Sequence, residues 1–335
     1  MYSYVLAGST LLASLAAPVV AQKNSAGCGK ALPNGLTPGG ASVNITIESQ
    51  SHPGGVSRQY LAHLPPNFAA GNDKAAPLIV AFHGQSQPAW SLERITGLST
   101  AELNKDAIVV YPSGMNVQEP GFQWLGIPEA PPSSEYDDRI FVGEVLDSLT
   151  SSLCIDESRI YATGASNGGG MTGLAACTPA LNKRFAAFAM IVAAFYPDSE
   201  LTEPLFEAGC VPELGGRRLP MLEMHGLNDS VIAYDGNNSP APNSIPIPDW
   251  IDSWLERNAC SGVQPATEVV DANLTTYRWA CGAQDDLMVH YKINNFGHGW
   301  PSTTNQGEPW ETLRLAPTNF NATSVIVDWF SKWTL

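Results

Sequence analysis

Apolar residues follow two different rhythms along the chain. Residues 43–48 and 58–64 alternate apolar with polar positions. Period-2 alternation predicts strands with one covered face, paired as a hairpin or meander at a sheet edge. From residue 77 the pattern changes to short unbroken apolar runs: PLIVAF (77–82), AIVVY (107–111), RIYAT (159–163), FAMIV (188–192), PMLEM (220–224) and LMVHYKI (287–293). Such runs predict strands buried on both faces, as in a mostly parallel sheet covered by helices. The segments between them carry helical spacing. Phe141, Val145, Leu149 and Leu153 step by four, Trp250 and Trp254 do the same within 248–258, and Val325, Ile326, Trp329, Phe330 and Trp333 form a stripe of period near 3.6. Strand–helix alternation of this kind predicts an α/β class, a doubly wound sheet in a single domain over residues 22–335. There is no repeat and no linker to divide it.

The first residues change the compartment rather than the fold. Residues 6–20 are small and apolar, too short a run for a membrane span of roughly 20 residues. Val19 and Ala21 suit a signal-peptidase site, so residues 1–21 are expected to be a secretory signal. No later run is apolar enough to anchor the chain in a bilayer. Residues 22–42 read as an irregular arm around Cys28. Six cysteines in a secreted chain predict three disulfides. Six cysteines allow fifteen pairings; the expected set is Cys28–Cys154, Cys177–Cys210 and Cys260–Cys281. No C-x-x-C or closely spaced His pair suggests a metal. Sequons at Asn44, Asn228, Asn237, Asn273 and Asn321 point to a glycoprotein, with Asn228 standing close to the chemistry proposed below. The formal charge of −15 disfavours a nucleic acid partner, which needs a basic footprint.

The chemistry concentrates in RIYATGASNGGGM (159–171). It sets Gly164-x-Ser166-x-Gly168 after an apolar strand and before a helix, the context of a nucleophile elbow in an α/β-hydrolase fold. A serine hydroxyl needs a base, and the base an orienting acid. In this fold the chain order is serine, acid, histidine. Of six histidines only His290 and His298 follow a plausible acid. His290 lies within a strand-like run and is read as structural. His298 sits in a loop between glycines and is the expected base. The acid is expected at Asp229, in the loop after 220–224, with Asp235 and Asp252 as competitors; Glu223 lies within the strand and is the poorer choice. His225 is read as shaping that loop, and His83 as bonding its own. Oxyanion donors are expected from the amides of Asn167 and Gln85, with Gly84 as the alternative. No metal or organic cofactor is needed for this mechanism.

With these motifs placed, the chain resembles fungal feruloyl esterases of carbohydrate esterase family 1, near the polyhydroxybutyrate-depolymerase-like esterases. The resemblance runs from about Cys28 to Leu335. It rests on AFHG (81–84), VVYPSG (109–114), the 154–171 block, LEMHGLND (222–229) and GHGWP (297–301), with Ser302 where relatives often carry Gly. It implies Ser166, Asp229 and His298 as triad, and release of ferulic and related hydroxycinnamic acids from arabinoxylan or pectin side chains. A planar cinnamate wants aromatic walls, for which Trp124, Tyr196 and Trp300 are the candidates, with Phe122 and Phe195 nearby in sequence. An acetylxylan esterase or a short-chain polyhydroxyalkanoate depolymerase on the same scaffold is the alternative. A non-catalytic binding protein would be expected to have lost a triad residue. The sequence leaves open whether one copy or two work together.

Overall fold

The computed structural model describes residues 23–33, 35–71, 74–116 and 121–335. The expected signal segment, 1–21, lies outside them. Among the described residues ten strands form one sheet. In chain order these are β1 (Val43–Ser49), β2 (Val56–His63), β3 (Ala76–Phe82), β4 (Ile108–Pro112), β5 (Ile155–Ala165), β6 (Ala187–Ile191), β7 (Met221–Gly226), β8 (Ala266–Asp271), β9 (Leu274–Cys281) and β10 (Gln284–Ile293). Their spatial order is β1-β2-β4-β3-β5-β6-β7-β10-β9-β8. The strands from β4 to β10 in that order are parallel, and antiparallel pairs close both edges.

The strands with unbroken apolar sequence occupy the middle. Every residue of β4, β6 and β7 is buried, as layers of helix on both faces require. The helices are α1 (Ala89–Thr96), α2 (Asp138–Ser152), α3 (Asn167–Cys177), α4 (Pro179–Asn182), α5 (Ile247–Arg257), α6 (Trp310–Arg314) and α7 (Ala322–Phe330). Asp137 caps α2 through its carboxylate on the Arg139 amide. Trp250 and Trp254 point α5 into the core, and Phe195 stacks on Trp250 at 4.3 Å between ring centres.

The hairpin β8–β9 was not expected from the sequence. β8, ATEVVD, is exposed along nearly its whole length at the sheet edge, so its apolar residues carry no burial rhythm. β5 is also longer than RIYAT. It starts at Ile155, which pairs with Ala76 before a bulge restores the register at Leu78 and Ile160.

The three expected disulfides, Cys28–Cys154, Cys177–Cys210 and Cys260–Cys281, are all formed. The first staples the arm to the entry of β5, where Ser25 also bonds the Ile155 and Leu153 backbone. Asn44, Asn228, Asn237 and Asn273 are exposed, whereas Asn321 is half-buried as the N-cap residue of α7. No helix among the described residues is long and apolar enough to cross a membrane.

Candidate active site

The parallel strands all end on one edge of the sheet, and the chemistry gathers there. β5 leaves the sheet at Ala165 and turns into α3 through Ser166, whose φ of 56° and ψ of −126° lie in a region L-residues rarely adopt. The turn is held from both sides. The Ser166 amide donates to the Ile191 carbonyl, and the Ser166 carbonyl accepts from Gly170 and Ala194, each at 3.0 Å. Its two flanking glycines are steric necessities. A Cβ on Gly164 would lie 2.2 Å from the Gly168 carbonyl oxygen, and one on Gly168 would lie 2.0 Å from that of Phe82. The side chain of Ser166 remains partly open to solvent at the start of α3.

The expected acid and base, Asp229 and His298, lie in the loops after β7 and β10, which are parallel neighbours. The loops are also bonded to each other. The Asn228 amide donates to Phe296, the Leu227 amide to Ile293, and a Cβ on Gly226 would meet the Phe296 carbonyl at 2.2 Å. Asp229 is buried there. Its Oδ1 accepts from the amides of Val231 and Ile232 at 2.9 and 2.8 Å, and its Oδ2 lies 2.7 Å from His298 Nδ1. Burial pushes this carboxyl up, but the charge of His298 and the bonds from His225 and His298 outweigh it and hold Asp229 well below the usual range. The base loop is pinned in turn: the Gly297 and His298 amides donate to the Arg314 and Leu313 carbonyls, and the buried Arg314 guanidinium donates to the carbonyls of Ser302 and Thr304.

With Nδ1 committed to Asp229, His298 has Nε2 left for a nucleophile. The structure therefore pairs His298 with Asp229, and sets Ser166 on the same edge. Among the described residues no hydrogen bond joins Ser166 Oγ to His298; that contact is the one proton transfer has to close. The competing acids do not reach the base. Asp235 is exposed and accepts from the Asn237 amide, and Asp252 is exposed on α5.

The loop after β3 stands over the nucleophile: a Cβ on Gly84 would lie 3.4 Å from that of Ser166. His83 braces it. Its Nε2 accepts from the Gly114 amide at 2.9 Å, so Nδ1 carries the proton and donates to the Gly84 carbonyl at 2.8 Å. Burial pushes His83 down to about 4, which keeps it neutral. Among the described residues neither the Gln85 nor the Asn167 amide is taken up by a backbone carbonyl. The Asn167 side chain clamps the Trp124 backbone, accepting at 2.7 Å and donating at 3.2 Å.

The aromatic candidates are placed differently from the expectation. Trp124 and Trp300 are 0% and 1% exposed. Trp124 donates its indole N–H to the His83 carbonyl and Trp300 to Thr323 Oγ1, so both belong to the framework of the site rather than to an open wall. Each indole N–H has an internal partner, and each ring completes the core beneath a loop of this edge. Tyr196, at 9% exposed, packs with Ile127, Ala130, Ala194 and Ile232 close behind the acid loop. By contrast Trp90, in the first turn of α1 just past the Gln85 loop, is 60% exposed and was not singled out by sequence. Nor was the buried group behind Asp229, in which Glu223 lies 3.0 Å from His225 Nδ1 and 2.7 Å from His290 Nδ1 in the sheet.

A mostly parallel, doubly wound sheet with a serine on a strand-to-helix turn is the α/β-hydrolase fold, and the chain belongs to that class by structure. A model of the prolyl oligopeptidase family matches residues 96–203, the stretch that includes the elbow. The chain is 30% identical over 248 residues to feruloyl esterase B of Piromyces equi, covering 72% of this chain and 42% of that protein. It is 28% identical over 261 residues to a probable feruloyl esterase C of Aspergillus niger, covering 71% of this chain and 78% of that one. Among solved structures, a CE1 ferulic acid esterase of Anaeromyces mucronatus in complex with ferulic acid aligns with a TM-score of 0.50 at 17% identity, over 81% of this chain and 89% of that chain. By these likenesses the chain is similar to feruloyl esterases over about 70% of its length. It spans less than half the length of the Piromyces equi protein.

Proposed function

We propose that the chain is a secreted feruloyl esterase that frees ferulic and related hydroxycinnamic acids from plant cell-wall polysaccharides through an acyl-enzyme. The observation that carries this reading is the buried Asp229–His298 pair on the same sheet edge as the Ser166 elbow, in a chain similar to proteins named feruloyl esterases. His298 Nε2 takes the proton as Ser166 Oγ attacks the ester carbonyl. The oxyanion is received by the Asn167 and Gln85 amides, each such donor lowering the barrier by about 3 kcal/mol. His298 then gives the proton to the leaving alcohol, and water repeats the cycle to free the acid. Asp229 fixes the Nδ1–H tautomer and balances the imidazolium. Secretion is supported by the apolar 1–21 segment and by three formed disulfides, which persist in oxidising compartments.

The test is steady-state hydrolysis of methyl ferulate beside 4-nitrophenyl acetate, with Ser166→Ala as the blank. Efficient cleavage of methyl ferulate, lost in the variant, is the expected result. Cleavage of the acetyl ester alone would keep the triad and withdraw the hydroxycinnamate, leaving an acetylxylan-type or short-chain esterase.

A further inference from the structure

Glu223 is 0% exposed in the middle of the sheet, a costly place for a carboxylate. Its Oε1 lies 3.0 Å from His225 Nδ1 and its Oε2 lies 2.7 Å from His290 Nδ1, the latter a close approach without hydrogen-bond alignment. His290 stands opposite Glu223 in the β7–β10 register, so one carboxylate bridges the two strands whose loops carry Asp229 and His298. The far side of His225 faces the acid loop. Its Nε2 is 2.9 Å from the Ile232 carbonyl and 3.4 Å from Asp229 Oδ2, the oxygen that holds His298. A carbonyl only accepts, so Nε2 carries a proton. Nδ1 faces a carboxylate and carries another. The ring that satisfies both neighbours is an imidazolium.

We propose that Glu223 and His225 are positioning residues, a buried carboxylate–imidazolium pair whose positive ring stands behind Asp229, balances its charge and so sets the proton affinity of His298. This rests on the triad reading but on no particular ester. Among the described residues the side chains of the basic residues that contact Asp229 Oδ2 are those of His225 and His298. Lys292 of β10 is opposite His225 in register but its ammonium lies over the Tyr234 ring at 5.5 Å. Tyr234 meets His290 Nε2 at 3.0 Å, Tyr277 of β9 stacks on His290, and on the other side β6 sets uncharged Met190 opposite Glu223. Burial lowers the proton affinity of His225, yet the bonds and charges of Asp229 and Glu223 raise it to about 10.

Two measurements decide the matter. In ¹⁵N spectra of histidine-labelled protein, assigned by difference with His225→Gln, both ring nitrogens of His225 should stay protonated from about pH 5.5 to 8.5. A neutral ring in that range would overturn the proposal. In kcat/KM for 4-nitrophenyl acetate against pH, His225→Gln should leave the Asp229 charge unbalanced, hold His298 protonated to higher pH and move the acidic limb up by about one unit. Activity near pH 6 should then fall about tenfold, with a change under about threefold near pH 8.5. A uniform loss with an unmoved limb marks a merely structural role and also overturns it. Should His225→Gln fail to fold, Glu223→Gln keeps the shape and removes the counter-charge, and the His225 ring should then titrate within the range; a ring that stays charged throughout overturns the pairing. A wild-type protein inert towards every ester would instead sink the triad reading, and the spectra would be unaffected by that failure.

Discussion

Asp229 uses its two oxygens for different tasks. Oδ1 is tied to two amides of its own loop, and Oδ2 is left for imidazole. An amide in its place could satisfy one side only. Asp229→Asn would present N–H either to the Val231 and Ile232 amides or to His298 Nδ1–H, and it favours the wrong tautomer of the base. Turnover on 4-nitrophenyl acetate should fall on the order of 10⁴-fold with the fold intact by circular dichroism. Near-normal turnover would move the role to another carboxylate. The strand-to-helix turn at Ser166 and the pairing of Asp229 with His298 were legible in the sequence because each lies just after a recognisable strand. The Glu223–His225–His290 group was not. It depends on β10 lying beside β7 with His290 opposite Glu223, and no local pattern in either segment records that register. Trp124 and Trp300 misled for a related reason. An aromatic beside a catalytic motif reads the same whether its ring faces the ligand or the core.

At the scale of elements, the loop clamped by Asn167 depends on a buried ion pair that joins β2 to α2. Arg58 and Asp138 meet at 2.8 Å with both side chains only 3% exposed. Arg58 also donates to the Ser113 carbonyl and lies 3.8 Å over the Phe141 ring, and Asp138 Oδ2 accepts from the Leu125 amide. The loop that carries Trp124 is therefore anchored through Asp138. Arg58→Met leaves that carboxylate buried without its partner and should destabilise the fold by about 3–5 kcal/mol. Urea unfolding measures this, and a loss under about 1 kcal/mol would show that the pair is not what holds the loop. The parallel strands were legible as unbroken apolar runs. The β8–β9 hairpin was hidden because an exposed edge strand has little burial to pattern it.

For the whole molecule, two buried histidines of opposite character shape stability against pH. His83 is held neutral, with its affinity lowered to about 4. Its contribution is complete above the unfolded value near 6.5 and is lost as pH falls through 4, about 3 kcal/mol in all. His225 is held charged, with its affinity raised to about 10, so its contribution is complete below 6.5 and is lost as pH rises towards 10. Asp229, held low, adds to the loss on the acid side. Scanning calorimetry should find Tm greatest near pH 6.5 and falling both ways; a Tm still rising at pH 9 would contradict a charged His225.

The stapled arm and the last residues of the chain meet at one place. Ser25 and Cys28 are fixed at the entry of β5, the Leu335 amide donates to the Ser158 carbonyl, and Tyr161 donates its hydroxyl to the Trp333 carbonyl. Ser166 lies at the exit of the same strand, roughly 30 Å away at about 3.3 Å per residue. A fusion partner, a surface tether or an affinity tag attached to either segment therefore leaves from the side opposite the edge that carries Ser166. Immobilised in that way, the molecule turns the edge that carries Ser166 outward, away from the support.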